Sequence, residues 1–169
     1  LALGWATYNG DHMSMYGVNA GVPKTLVRHL VRYEADIAAT DALRTVLLDI
    51  LDTPVSPELL PAKDGEIAQK TEDLVGPYEL HDFFLYYLLR YNFPPRKLYY
   101  YACLAFSGEL SASYILEKLK LFLNRFFAGQ FKRSCTPDSA RITDVNLTCW
   151  SIPSDASAQS LLCDLDEIR

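Results

Sequence analysis

The sequence of 169 residues has few of the groups on which metal binding and nucleophilic catalysis depend. It contains three histidines and four cysteines, and the cysteines are Cys103, Cys135, Cys149 and Cys163. None of them stands in a CxxC pair or at zinc-ligand spacing. No order of Ser, His and Asp, or of Cys and His, suggests an activated nucleophile. We therefore predict reduced thiols of a cytoplasmic protein, no metal site and no catalytic residue in this chain.

Long apolar runs and an excess of positive charge are also missing. The formal net charge is −5, which argues against a nucleic-acid binder and makes a DNA-binding helix-turn-helix at 79–106 a poor interpretation. No apolar run approaches the roughly 20 residues that cross a bilayer, and no signal peptide is recognisable. A hydrophobic content of 50% permits a sizeable core, so residues 1–169 are predicted to be one domain or a piece of one. Because the chain opens at Leu1 without a Met, we expect a piece of a longer protein.

The spacing of apolar residues predicts a mostly helical chain with one strand or none. Residues 1–21 are rich in Gly and Asn and predict a loop, whose aromatic and Met residues indicate that it lies against core or ligand. The predicted helices begin at Pro23, at Thr40 or Asp41, after Gly76-Pro77, after Pro94-Pro95, at 109 and at about 157. Residues 62–76 are predicted to be a mobile loop. Residues 130–155 are predicted to be a polar segment, in which Ile142, Val145 and Leu147 could form a short strand, and Gly129 is the predicted helix stop before it. The predicted inward residues of the third helix are Leu80, Phe83, Phe84, Tyr87, Leu88 and Tyr91.

Several polar residues could contact a ligand, and each has a structural alternative. Lys24 follows a Gly-rich loop and opens a helix, where it could contact phosphate or be simply solvated. Asp11 could bind a ribose, a metal or an amine, or cap its own loop. Lys132 and Arg133 could clamp a phosphate or carboxylate, or complement a helix dipole. The aromatic residues at 83–106 favour core packing over base stacking.

Five blocks of the sequence, in order, resemble the synthetase part of bacterial glutamine-dependent NAD synthetases. They are LALGWATYNGDHMSMYGVNAGVPKTLVRHL, LDTPVSPELLP, VGPYELHDFFLYYLLRYNFPPRKL, RFFAGQFKRSCTPDS and WSIPSDAS. The resemblance spans nearly the whole chain, and the order and spacing of the blocks make it far more specific than a single short motif.

The resemblance implies a fold, a reaction and partners. The chain would be the C-terminal helical half of an α/β, Rossmann-like ATP-pyrophosphatase domain. That domain joins ATP to the carboxylate of deamido-NAD, and ammonia then displaces AMP to give NAD. The ammonia comes from glutamine in a glutaminase domain, and the family forms homo-oligomers. Mg²⁺ is the implied cofactor, with its ligands expected mostly upstream, and neither nucleic acid nor membrane is an implied partner.

The resemblance also assigns site residues by position. The implied deamido-NAD contacts are Trp5, Ala6, Thr7, Tyr8 and Lys132. The implied ATP contacts are Thr7, Lys24 and Ser56, and Asp11, Glu58 and Arg133 are implied supporting residues. The SGGxDS pyrophosphate loop of the family does not occur in these residues, so the chain is expected to hold the acceptor half of a split site and to be inactive alone. The alternative interpretation is a non-catalytic helical interaction module.

Overall fold

The computed structural model describes residues 1–4, 6–8, 10, 13–53, 71–148 and 152–168. All regular elements of these residues are helices. They are α1 (Lys24–Asp36), α2 (Asp41–Asp52), α3 (Thr71–Val75), α4 (Tyr78–Tyr91), α5 (Pro95–Ala105), α6 (Ala112–Ala128), α7 (Gln130–Ser134) and α8 (Gln159–Asp166). Extended pairing in the described residues is confined to an isolated parallel bridge between Gly17 and Ser139. The mostly helical prediction is confirmed.

The helices fall into two compact units, and the larger comprises Leu1–Val22 and Leu80–Arg169. Its core lies along α6, whose Ser111 cap accepts a hydrogen bond from the amide of Tyr114. The apolar residues that α6 buries recur at helical spacing: Ile115, Leu119, Phe122, Leu123 and Phe126. Phe84 of α4 packs on Phe122 with ring centroids 5.4 Å apart. Full burial of each such side chain stabilises the fold by about 1.5–3 kcal/mol.

Hydrogen bonds and ion pairs attach helix α8 to the start of α5. The Asp164 carboxylate accepts hydrogen bonds from the Arg96 backbone N–H at 3.2 Å and from Arg96 Nε at 2.8 Å. Because α5 follows Pro94, which has no capping side chain, this carboxylate takes the place of an N-cap from another helix. Lys120 of α6 pairs with Asp166 at 2.6 Å. Polar contacts therefore fix the position of the last helix.

The smaller unit, Pro23–Glu79, is built around the hairpin of α1 and α2. Thr40 caps α2 by accepting the amide of Leu43, as predicted. In contrast to the α6 core, α1 and α2 each bury one residue, Ala35 and Leu51. The apolar side chains left exposed by the hairpin include Leu30, Tyr33, Ile37, Leu43, Val46 and Ile50.

The sequence predictions differ from the structure in several places. The short strand that 142–147 could have formed is absent from the described residues, because the side chains of Thr143 and Asn146 bond to nearby backbone in turns. The loop predicted at 62–76 ends in a helix, α3, while its residues 62–70 lie outside the described residues. The polar segment begins with a helix, α7. Tyr91 is exposed rather than inward, and Leu85 is buried instead.

Across the described residues, no helix combines the length and apolar character that a membrane span requires.

Candidate functional site

Two glycines bring the opening segment (residues 1–8) against the corner where α6 ends and α7 begins. Gly4 has a φ of +74°, which favours glycine. A Cβ added to Gly129 would lie 3.3 Å from Gly4 Cα and 3.0 Å from the carbonyl oxygen of Arg125. The two backbones thus approach each other more closely than side chains would allow. We call residues 129–134 the α6–α7 corner.

Lys132 joins the α6–α7 corner to the opening segment. Its Nζ donates hydrogen bonds to the carbonyl oxygens of Gly4 at 2.5 Å and Ala6 at 2.7 Å. An ammonium group has three N–H donors. In the described part of the chain these carbonyls use two, which leaves the third for an anionic ligand. Lys132 is half-buried, so such a ligand could reach it from solvent.

Arg133 is the neighbour of Lys132 but lies inside the protein, with 4% of its surface exposed. Its guanidinium donates to the carbonyl oxygen of Ala2 at 3.1 Å, to Gln130 Oε1 at 2.9 Å and to the carbonyl oxygen of Phe126. Burial lowers the pKa of Arg133 to about 10, so the group remains charged at neutral pH. Its guanidinium therefore binds protein groups in the interior and does not line the surface beside Lys132.

An exposed aromatic pair lies beside these cations. The rings of Tyr8 and Phe131 have centroids 5.6 Å apart and planes at 43°. Each residue is about half exposed, at 51% and 45%. Lys132 Nζ is 5.9 Å from the Phe131 centroid. Flat faces next to a cation suit an aromatic ligand that carries negative charge. Phe131 was not among the sequence-predicted residues, although its place directly before two cations was a usable signal.

Further hydrogen bonds tie residues 17–21 to the segment after α7. The Gly17 amide donates to the carbonyl oxygen of Asp138 at 2.8 Å, and the Thr143 hydroxyl donates to that of Gly21 at 2.5 Å. Hydrogen bonds therefore hold the Gly- and Asn-rich stretch to the segment after α7. Its aromatic and Met side chains, which were expected to lie against core or ligand, do not pack into the core, since Tyr8, Met13, Met15 and Tyr16 are half or more exposed. Thr7 is exposed, and its carbonyl oxygen accepts the amide of Gly10 at 3.0 Å.

Lys24 belongs to the smaller unit and is the first residue of α1, with Pro23 at the N-cap. Its Nζ lies 6.0 Å from the centroid of the Tyr78 ring. The two residues line a cavity of about 420 Å³, together with Arg28, Asp52, Glu72 and Glu79. Cations and carboxylates together suit a ligand that brings both signs of charge, such as a phosphate with its counter-cation.

Trp5, Asp11, Ser56 and Glu58 lie outside the described residues, so their predicted roles stay predictions. Within the described ranges, no three of His, Cys, Asp and Glu come together in a group that could hold a metal ion. Of the cysteines, Cys103, Cys135 and Cys163 are described, and none forms a disulfide.

The site is thus one that could bind an aromatic anion, built on a helical scaffold. Comparison with known proteins gives a more specific result. It is 38% identical over 189 aligned positions to the glutamine-dependent NAD(+) synthetase of Mycobacterium leprae, and equally to proteins of that name from Mycobacterium tuberculosis and Mycobacterium bovis. Each alignment covers 98% of this chain and 28% of the relative, so the chain spans just over a quarter of the relatives' length. No family model matches it. The resemblance predicted from the sequence is confirmed.

Proposed function

We propose that this chain supplies the deamido-NAD-binding side, and part of the ATP site, of a synthetase that amidates deamido-NAD to NAD. The observation that carries the proposal is the relationship to named glutamine-dependent NAD(+) synthetases along 98% of the chain. The α6–α7 corner adds a physical reason, because it offers a cation and flat aromatic faces side by side. The helices would form the C-terminal half of a Rossmann-like synthetase domain.

The opening segment is the proposed deamido-NAD contact. This dinucleotide carries two aromatic rings, a pyrophosphate and a carboxylate. The third N–H of Lys132 would donate to one of the anionic groups, and Tyr8 and Phe131 would cover one ring. Ala6 and Thr7 would contact the same substrate, which the hydrogen bond of Lys132 Nζ to the Ala6 carbonyl oxygen at 2.7 Å supports for Ala6. Trp5 would line the same substrate.

The cavity around Lys24 is the proposed ATP contact. The Lys24 ammonium at the N-terminus of α1 would add its charge to the positive end of the helix dipole, which attracts phosphate. By the resemblance, Thr7 and Ser56 are also proposed ATP contacts, and Asp11 and Glu58 are proposed supporting residues. By the resemblance, the ligands of Mg²⁺ would lie mostly upstream of this chain, and the steps given below do not run through that ion.

The chemistry explains why such a site is needed. The deamido-NAD carboxylate attacks the α-phosphorus of ATP, and pyrophosphate leaves. Ammonia then attacks the acyl-adenylate carbon, a proton is lost and AMP leaves. Both substrates are polyanions that repel each other in water, so cations and helix N-termini that hold them together lower the barrier. On this proposal the chain binds and orients, and the reacting phosphates meet groups elsewhere in the synthetase.

The proposal extends to the setting of the reaction. Ammonia would come from glutamine through a glutaminase domain, the protein would be a cytoplasmic homo-oligomer, and the 169-residue chain alone would be inactive.

A coupled assay of NAD formation from deamido-NAD, ATP and glutamine tests the proposal. We expect turnover by the full-length protein that carries this chain, and none by the chain alone. Failure of the full-length protein would remove the proposed function, and turnover by the chain alone would remove the split site.

A second candidate is a non-catalytic helical interaction module, which is favoured by the exposed apolar side chains of α1 and α2. Thermal unfolding of the full-length protein separates the two. Stabilisation by deamido-NAD but not by an unrelated dinucleotide supports the synthetase, and no stabilisation by either supports the module.

A further inference from the structure

We propose that Arg133 is a positioning residue for the deamido-NAD site. From inside the protein it fixes the opening segment to the α6–α7 corner, so that Lys132 can present its ammonium group to the substrate. The inference about substrate rests on the proposed function, whereas the inference about the segment rests on the structure alone.

The acceptors of Arg133 belong to different parts of the chain. They are the carbonyl oxygen of Ala2 in the opening segment, that of Phe126 in the last turn of α6, and the side chain of Gln130 at the start of α7. A guanidinium group has five N–H donors in a rigid fork and can reach separate acceptors at once. The compact ammonium of a lysine cannot reproduce this spread. One side chain thereby connects three segments.

Arg133 and Lys132 act on alternate residues of the same segment. Arg133 holds the carbonyl oxygen of Ala2, and Lys132 holds those of Gly4 and Ala6. Together they fix where the segment lies along α7, which is more than keeping it close to that helix. Without Arg133, the bond to Ala2 is lost, while the two bonds from Lys132 to Gly4 and Ala6 remain.

Burial separates the roles of the two cations. Arg133 is 4% exposed, and its guanidinium carbon lies 4.0 Å from the centroid of the Phe126 ring. That face is covered by protein, so a substrate cannot reach it. Lys132 is half-buried at the surface. Arg133 therefore acts through the segment and through Lys132, which makes it a positioning residue.

Hydrogen exchange of the full-length protein, followed by mass spectrometry, tests the link to the segment. In Arg133→Ala we expect amides of residues 1–8 to exchange about tenfold faster or more, as loss of hydrogen bonds from a charged donor requires. Arg133→Lys keeps the charge without the fork and should show a smaller acceleration in the same peptide. If Arg133→Ala does not fold, the exchange of residues 1–8 in Arg133→Lys tests the proposal alone. Unchanged exchange of residues 1–8 in a folded variant overturns the proposal.

Arg96→Ala is the matched control, because Arg96 is another arginine of the same unit with several hydrogen bonds. Its partners lie in and after α8, at Asp164 and Glu167. We expect faster exchange in 159–166 and an unchanged exchange rate in 1–8. Acceleration of residues 1–8 by Arg96→Ala as well would mean general loosening, which also overturns the proposal.

Kinetics of NAD formation test the link to the substrate. In Arg133→Lys we expect the KM for deamido-NAD to rise about fivefold or more, with the KM for ATP unchanged. Equal effects on both substrates, or faster exchange without any change in the deamido-NAD KM, overturn the positioning role. If the wild-type protein forms no NAD, the proposed function fails, while the exchange data still decide whether Arg133 fixes the segment.

Discussion

Replacing Lys132 by Met is the perturbation whose consequence the structure specifies best. The variant keeps most of the aliphatic stem but loses the ammonium, and with it the bonds to the Gly4 and Ala6 carbonyl oxygens at 2.5 and 2.7 Å. It also loses the N–H that we assign to the substrate. A hydrogen bond to a charged group contributes about 1.5–3 kcal/mol. Loss of that one contact predicts a rise of about 10- to 150-fold in the KM for deamido-NAD.

The assay is the formation of NAD by the full-length protein, with deamido-NAD and ATP varied separately. The KM for ATP should stay within about twofold of wild type, because Lys132 is assigned to the other substrate. Lys97→Met is the control, since Lys97 also lies over an aromatic ring, 3.8 Å from the centroid of Phe93, but is assigned to no substrate. A deamido-NAD KM that is unchanged in Lys132→Met would refute the assignment of this residue.

Other predictions concern the second cation, the close backbone approach and the buried arginine. Lys24→Ala should raise the KM for ATP by the equivalent of roughly 1–3 kcal/mol and leave that for deamido-NAD unchanged, and equal effects would contradict the assignment. Gly129→Ala should lower the free energy of unfolding by about 1–3 kcal/mol, measured in urea, because its Cβ would meet backbone at 3.0 Å. Gly17→Ala, with its nearest atom at 3.5 Å, should cost less, and the reverse order would refute the steric argument. The pKa of Arg133 is lowered to about 10 in the folded state, so its charged form disfavours folding. This penalty is relieved only as the pH rises through about 10. The difference in unfolding free energy between wild type and Arg133→Met should therefore be flat from pH 6 to 9, and a slope there would contradict it.

The long helices could be predicted from the sequence because their signals are local. Apolar residues at helical spacing identify α6, and Pro95 and Thr40 mark where helices begin. Helices α3 and α7 have five residues each, which is too short for a period of 3.6 to be recognised. The apolar residues near 145 left a short strand open as an alternative, and side-chain hydrogen bonds to the backbone decide against it in the described residues.

The separation of Lys132 from Arg133 could not be predicted, since in the sequence they are two adjacent cations. Adjacent residues of a helix point in different directions, so one reaches the surface and the other the interior. Which one is inside depends on the opening segment, which lies 128 positions from Lys132 in sequence. Contacts of such separation leave no local pattern. The resemblance implies that Lys132 is a site residue but gives no indication that it also bonds to the backbone of the opening segment.

Hydrogen exchange of the full-length protein with and without deamido-NAD tests the central claim most directly. If the opening segment and the α6–α7 corner bind this dinucleotide, its addition should slow exchange in residues 1–8 and 129–134, and leave 159–166 unchanged. Protection confined to other parts of the protein, with both of these segments exchanging as before, would contradict the claim.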